Sequence, residues 1–178
     1  LFNNRRVFTE YTAESLGGDI RLSHPFLDFA RWHLTYRLTR DKISDVSVDA
    51  SETLKEEEGS RITSLVEGAL SRDTRDNVFT PTRGSRASLI LDVAGLGGDS
   101  KFVKVIGEAS YFQPVIWGTV LAGRIEGGYG FGLGDEELPL FERFYLGGPS
   151  SIRSRKFRQI SPVDSSGTRI GGTSEVLF

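Results

Sequence analysis

Five cations, Arg143, Arg153, Arg155, Lys156 and Arg158, fall within residues 138–162, LPLFERFYLGGPSSIRSRKFRQISP. A guanidinium presents a planar fork of donors that matches a carboxylate or a phosphate. Such a cluster can therefore hold a carboxylate or a phosphate. The stretch reads as neither strand nor helix and carries the turn signal Phe144-Tyr145-Leu146-Gly147-Gly148. A connection this long, rich in Gly, Pro and charge, is uncommon between strands without a functional reason.

Catalytic chemistry finds little support elsewhere. The 2 histidines, His24 and His33, have no paired nucleophile, and cysteine is absent. That removes thiolate and disulfide chemistry and makes a metal site unexpected. No Gly-x-Ser-x-Gly elbow occurs. The run Gly128-Tyr129-Gly130-Phe131-Gly132-Leu133-Gly134 lacks a following helix and a Lys-Ser/Thr pair, so it is not a phosphate loop. In a strand such glycines permit curvature and close approach of a loop. A net charge of -2 gives no bulk attraction for nucleic acid. We expect no enzyme, no cofactor, no metal and no nucleic-acid partner.

The elements around the cluster alternate with period two. Ala30, Trp32, Leu34, Tyr36 and Leu38 oppose Arg31, His33, Thr35, Arg37 and Thr39. The same pattern predicts strands over 61–71, 85–94, 101–113, 118–130 and 170–178, with a further short one over 5–11. Turns are expected at 24–28, because Pro25 cannot donate to a ladder, and at 95–99, from its glycines. Residues 41–60 read as a loop or extended strand end, with a short helix over 52–58 as an alternative. The ends, Leu1-Phe2 without an initiator methionine and Glu175-Val176-Leu177-Phe178 in mid-strand pattern, lead us to expect a segment of a longer protein.

Two architectures suit seven such strands. One is a soluble antiparallel β-sandwich acting as a binding module, with its apolar faces packed together. The other is a membrane-spanning β-barrel, with apolar rows outward and charged rows inward. Strand length favours the barrel, since about nine to eleven tilted residues cross a bilayer. So do the charges Arg31, Arg37, Glu67, Asp92, Lys104, Glu108, Arg124 and Glu126 deep within strands. Trp32, Trp117, Tyr36, Tyr111 and Tyr129 suit either headgroup-level girdles or ordinary packing.

Three segments decide between them. They are Asp76 to Gly84 (DNVFTPTRG), the run from Gly128 through Leu138–Gly148 to Ser151-Ile152-Arg153, and Gly171-Gly172-Thr173 leading to a strand with Glu175. Together, in this order, they resemble the Omp85 superfamily, most closely its bacterial outer-membrane assembly members. The resemblance implies an all-β, antiparallel transmembrane barrel, of which residues 1–178 supply about seven of roughly sixteen strands. It implies that residues 134–168 form a long extracellular loop folding into the lumen. The lumen-loop motif maps to Gly147, Gly148, Ile152, Arg153, Ser154 and Phe157, with Arg153 set against acids of the inner wall. Candidate wall acids are Glu126, Glu175 and Glu108. The family pattern Val-Arg-Gly followed by Phe or Tyr here reads Ile152-Arg153-Ser154-Arg155, with Phe157 two places late. Either the tip differs, or Phe157 takes the aromatic role by a shifted path.

The implied function is non-enzymatic assembly and insertion of β-barrel proteins into the bacterial outer membrane. Implied partners are the lipid bilayer, with lipopolysaccharide a further partner of exposed basic groups, unfolded outer-membrane clients, and accessory lipoproteins. Alternatives are a related translocating barrel (autotransporter assembly, two-partner secretion, or an organelle import channel), the β-sandwich module, and an outer-membrane enzyme barrel, which would need a catalytic pair at its rim. The resemblance also places client capture on periplasmic domains, and the insertion seam between first and last strands, outside these residues.

Overall fold

A computed structural model describes residues 2–7, 11–48, 55–149, 151–165, 167 and 169–178. Eight strands form one antiparallel sheet in sequence order. They are β1 (Phe2–Val7), β2 (Thr12–Leu27), β3 (Ala30–Ser44), β4 (Gly59–Asp73), β5 (Gly84–Gly98), β6 (Phe102–Pro114), β7 (Val120–Gly132) and β8 (Ser174–Leu177). Every strand pairs with its neighbours in sequence, even β7 with β8 across the long connection between Gly132 and Ser174. β2 to β7 are 13 to 16 residues long, well beyond the usual strand of soluble sheets.

Register sorts the side chains as the alternation predicts. Thr35 pairs with Glu67, Glu67 with Asp92, Asp92 with Lys104, and Lys104 with Gly130, which makes one polar face. Leu34, Gly68, Leu91, Val105 and Tyr129 make the other. The two faces are treated oppositely. On the apolar face Ile20, Leu34, Leu91 and Ile125 remain 71%, 44%, 44% and 53% exposed. Burial is on the polar face, where residues 134–173 leave the sheet and fold back over it. Leu65, Ala94 and Phe102 are buried there with Leu138, and Ile43 with Leu140. A sandwich would bury the leucine rows against a second layer. Here the layered face is the charged one, and so much uncovered apolar surface calls for hydrocarbon as its neighbour.

Several boundaries differ from the sequence expectation. The described residues hold one strand more than expected, because residues 12–27 form a single long β2 through the turn expected at 24–28. Pro25 lies within it, beside a register irregularity between Pro25 and Leu27 where a missing donor is tolerated. The turn falls at Asp28-Phe29 instead, with Phe29 at φ 64. β5 continues through Gly95, Gly97 and Gly98, since a glycine bulge keeps pairing with β4, and the turn moves to Asp99-Lys101. The last strand begins at Ser174 rather than Ile170, because Gly172 is bridged to Phe144 of the folded-back segment. β3 extends to Ser44, and Lys55 and Glu56 are helical. Parts of the expected strand at 5–11 and helix at 52–58, namely 8–10 and 52–54, lie outside the described residues.

This arrangement predicts opposite tolerances on the two faces of one strand. In the full-length protein folded into vesicles, Leu91→Arg is expected to lower stability by about 2–4 kcal/mol, because it puts a cation near the middle of the apolar band. Ser88→Arg, on the polar face opposite Glu108, is expected to change it by less than about 1 kcal/mol. Urea unfolding of both variants followed by tryptophan fluorescence measures the difference.

Candidate functional site

The polar face is built to receive the folded-back segment. β7 places Gly128, Gly130 and Gly132 on that face, with Tyr129 and Phe131 turned away. Each glycine lies under part of the segment. A Cβ on Gly128 would stand 2.5 Å from the Phe144 ring, and one on Gly130 would stand 3.1 Å from Leu138. On Gly132 it would overlap the Glu136 carbonyl. The bare backbone is thus a trough, and Leu138, Leu140 and Phe144 are buried in and beside it. Backbone bonds close its edge: Gly130 N–H donates to the Thr173 carbonyl at 2.7 Å, and Leu133 N–H to Lys101 at 2.9 Å.

Next to the trough the hold is ionic. Lys104 Nζ contacts the Glu142 carboxylate at 3.0 Å and donates to the Glu142 carbonyl at 3.2 Å. The same ammonium lies 5.2 Å from the Phe144 ring centre, within cation–π range. Further along the wall Arg37 pairs with Glu67 at 3.3 Å, Thr35 donates to Glu67, and Arg21 donates to Thr35. Asp92 sits in register between Glu67 and Lys104. It is buried, and its Oδ1 has no hydrogen-bond partner among the described residues.

The segment is stapled to itself by Arg143, whose guanidinium is nearly inaccessible. Its Nε donates to the Leu138 carbonyl at 2.8 Å, one Nη to the Ile170 carbonyl at 3.3 Å, and the other to Glu137 at 2.8 Å. Phe144 and Gly172 exchange backbone bonds of 2.9 Å in each direction. Arg143 therefore joins the start of the segment to its return. Tyr145 donates to the Leu140 carbonyl and lies 4.2 Å beneath the Arg158 guanidinium. Burial pushes its phenol up to about 12.

The tip is shaped by Gly147 and Gly148. Gly147 holds φ 111 with its N–H on Ser151 Oγ at 2.8 Å, and a Cβ there would meet the Lys156 carbonyl. Gly148 N–H is shared between the Ile152 and Arg155 carbonyls. Of the residues expected to act together, Gly147, Gly148, Ile152 and Phe157 share this turn, with Phe157 packed over Gly148. Ser154 does not adopt positive φ; Arg158 does, at 58°. Arg153 is exposed and makes no ion pair among the described residues. Glu108 and Glu126 come together across β6 and β7, but on Arg124, at 3.1 and 2.7 Å. Glu175 lies half-buried on β8, near Phe144 and Pro162, with no cation partner among the described residues.

Sequence reasoning singled out Arg143 only as one of five cations and missed its backbone acceptors, the Lys104–Glu142 pair and the Arg124 clasp. Arg143 had a signal: a cation between Phe141 and Phe144 must find acceptors if the run is buried. Arg124 and Glu126, two apart on one polar row, had one too.

At the opposite end of the strands, residues 76–83 form a rigid turn. The Asp76 carboxylate accepts from the Thr82 hydroxyl and from the Asn77, Thr82 and Arg83 amides. These bonds, the Thr82 hydroxyl first, hold its pKa well below the usual carboxylate range.

Comparison with known proteins agrees with this geometry. The family model described as the Omp85 superfamily domain matches residues 1–178. "Outer membrane protein assembly factor BamA" of Nitratidesulfovibrio vulgaris is 36% identical over 172 residues, 95% of this chain and 22% of that protein. "Sorting and assembly machinery component 50 homolog" of Homo sapiens is 31% identical over 143 residues, 80% of this chain and 29% of that one. The crystal structure of BamA from Haemophilus ducreyi lacking POTRA domains 1-3 superposes with a TM-score of 0.79 at 20% identity, over 93% of this chain and 36% of that chain. At that identity the likeness is one of fold. The chain spans only 22% and 20% of the length of two BamA relatives, those of Nitratidesulfovibrio vulgaris and Neorickettsia risticii.

Two expectations follow from this geometry. Gly128→Val should unseat Phe144, at roughly 1–3 kcal/mol of overpacking. It should speed limited proteolysis within 134–173 while Gly123→Val, on the open apolar face, leaves it unchanged. The Asp76 turn should be acid-sensitive. Its pKa is depressed in the fold, so its contribution is complete above the ordinary carboxylate value of about 3.9 and is lost as pH falls below that. Protection factors of the Thr82 and Arg83 amides, which correct for the intrinsic slowing of exchange in acid, should therefore fall progressively below about pH 4 in the native protein, and should be low and free of this pH dependence in Asp76→Asn.

Proposed function

The chain belongs to the Omp85 superfamily, and from that premise we propose that it is the wall-and-plug portion of an outer-membrane barrel that assembles and inserts other β-barrel proteins. The observation that carries this reading is the inversion of the sheet. Its leucine rows are bare, and its charged face is covered by its own connection. In this reading the charged face lines the lumen, and residues 134–168 are the extracellular loop that enters it. The names of the relatives, an outer-membrane assembly factor and a sorting and assembly component, support the activity. The higher identity to bacterial relatives, 36% against 29% to 32% for the sorting and assembly components, supports a bacterial outer membrane. The work is non-enzymatic: binding and shape rather than bond chemistry. Clients and accessory lipoproteins would engage parts of the protein beyond this chain.

The chain's own contribution is a seated loop. Glycines let backbone and wall touch, and Lys104–Glu142 fixes the loop along the strands. Gly147, Gly148 and Ile152 shape the tip that presents Arg153. With Glu108 and Glu126 occupied by Arg124, Glu175 is left as the wall acid for a loop cation. A lumen left open would leak, and a loop left mobile could not present a fixed tip.

The test uses the full-length protein as the sole copy in cells. Lys104→Met and Glu142→Gln, which each leave a partly buried charge unpaired, should lower folded, heat-modifiable client barrels several-fold. The double variant should be no worse than the worse single one, because the two act as a pair. Undiminished client levels in all three, with the protein itself folded in the membrane, would remove the seated loop from the mechanism.

A further inference from the structure

The apolar face carries charge as well, concentrated at the loop end. The β3 row of Trp32, Leu34, Tyr36 and Leu38 continues into Arg40 and Lys42 on the same face. Register places Lys42 between Glu14 of β2 and Ser60 of β4, and Arg40 between Leu16 and Ile62. Glu14 is taken by Arg5, which faces it from β1 at 3.2 Å. Of the other acids near this end, Glu56 and Glu58 precede β4 and make no ion pair with Arg40 or Lys42 among the described residues, and two more are engaged elsewhere. The Asp99 carboxylate accepts the Ile62 amide at 2.8 Å, and Asp45 accepts the Ser44 hydroxyl. Arg40 Nε donates to Ser60 Oγ at 2.7 Å, and its terminal nitrogens bond nothing among the described residues. Lys42 makes no ion pair there either. Two exposed cations about 7 Å apart thus stand without a carboxylate, oriented in part by a serine.

Directly beneath them the surface turns apolar. Leu16, Leu38 and Ile62 are each about half exposed, and Gly18 opposite Leu38 leaves that row low. Cations immediately above a leucine surface, at the edge of the band that meets hydrocarbon, face neither bulk water nor protein acid. They face the level of lipid headgroups. The other end of the same face is unlike this. It carries His24 stacked on Trp32, at 6.5 Å between ring centres, and the single cation Arg72.

We propose that Arg40, Lys42 and Ser60 bind the phosphate of an anionic membrane lipid on the loop side of the barrel, its acyl chains lying along Leu16, Leu38 and Ile62. This rests on the apolar face meeting hydrocarbon. Charge complementarity selects the headgroup, and the leucine surface selects an amphiphile over a free anion. The site would fix the depth and rotation of this side of the wall, next to the strands that carry the loop seat.

The test takes the full-length protein from nanodiscs of equal phosphatidylglycerol and phosphatidylcholine, and reads retained lipids by native mass spectrometry. The wild type should enrich phosphatidylglycerol, and Arg40→Gln/Lys42→Gln should reduce that enrichment about tenfold. Arg72→Gln and the charge-preserving pair Arg40→Lys/Lys42→Arg should keep it. A measurement on the unaltered protein stands beside these: enrichment should fall as salt rises to about 1 M, where the Debye length shrinks to about 3 Å. Equal enrichment in the Gln pair, or enrichment indifferent to salt, would overturn the site. Displacement by glycerol phosphate at the concentration that displaces the lipid would overturn the commitment to an amphiphile. A wild type retaining neither lipid would overturn the hydrocarbon-facing assignment, whereas intact lipid retention alongside failed client assembly would sink only the assembly function.

Discussion

A backbone that lies in hydrocarbon has to satisfy its own hydrogen bonds, because no solvent there will. In this chain that constraint is met by hairpins in sequence order, each strand laddered to the next over most of its length. Everything else follows from which way the side chains then point. With lipid outside, no desolvation gain comes from covering the leucine rows with protein. The chain's own packing is consequently spent on the polar face, where water and charge would otherwise fill the space. This explains an arrangement that would be perverse in a soluble protein: Leu65 and Phe102, 1% and 0% exposed, are buried among Glu67, Asp92 and Lys104 on the charged rows.

Two kinds of contact hold the loop to that face, and they differ in what they specify. The glycine trough of β7 sets distance. A side chain at Gly132 would meet backbone and one at Gly128 the Phe144 ring, whereas at Gly130 the end of Leu138 would have to give way. The ionic contacts set position along the strands, because Lys104 reaches Glu142 in one register only. Arg143 adds a third constraint within the segment, tying Leu138 to Ile170 so that outward and return limbs move as one. A guanidinium is suited to this. Its fork satisfies two carbonyls and a carboxylate at once, where an ammonium would act as a point charge.

Much of the fold was legible in the sequence, because period-two alternation is a strong signal and residue 34 cannot share a face with residue 35. The faces assigned to β3 through β7 hold in the register. Strand ends were less legible, for a physical reason. Proline and glycine are read as turn residues, yet Pro25 sits at an irregular strand end, and Gly95 and Gly97 lie in a bulge after which Gly98 pairs again with Thr63. Of the site, the tip glycines and the likeness to the Omp85 superfamily were readable. The partners of the charges were not. Pairing Lys104 with Glu142 spans 38 residues of sequence and depends on how the segment folds back, which alternation does not encode. Arg124 captures Glu108 and Glu126 because β6 and β7 stand in that register and no other.

The charges of the wall are therefore better understood as a field than as a set of isolated bridges. Arg21, Thr35, Glu67 and Arg37 form one connected group, and Lys104 with Glu142 another. Asp92 lies between them in the ladder and belongs fully to neither. A buried carboxylate with an unmatched oxygen is unfavourable on its own, and its neighbours must compensate. Here the compensation comes from a cation, Lys104, that also holds the loop. The cation that stands in register with the buried carboxylate is thus the one that carries the loop contact, so the wall's charge and the loop's seat share one residue.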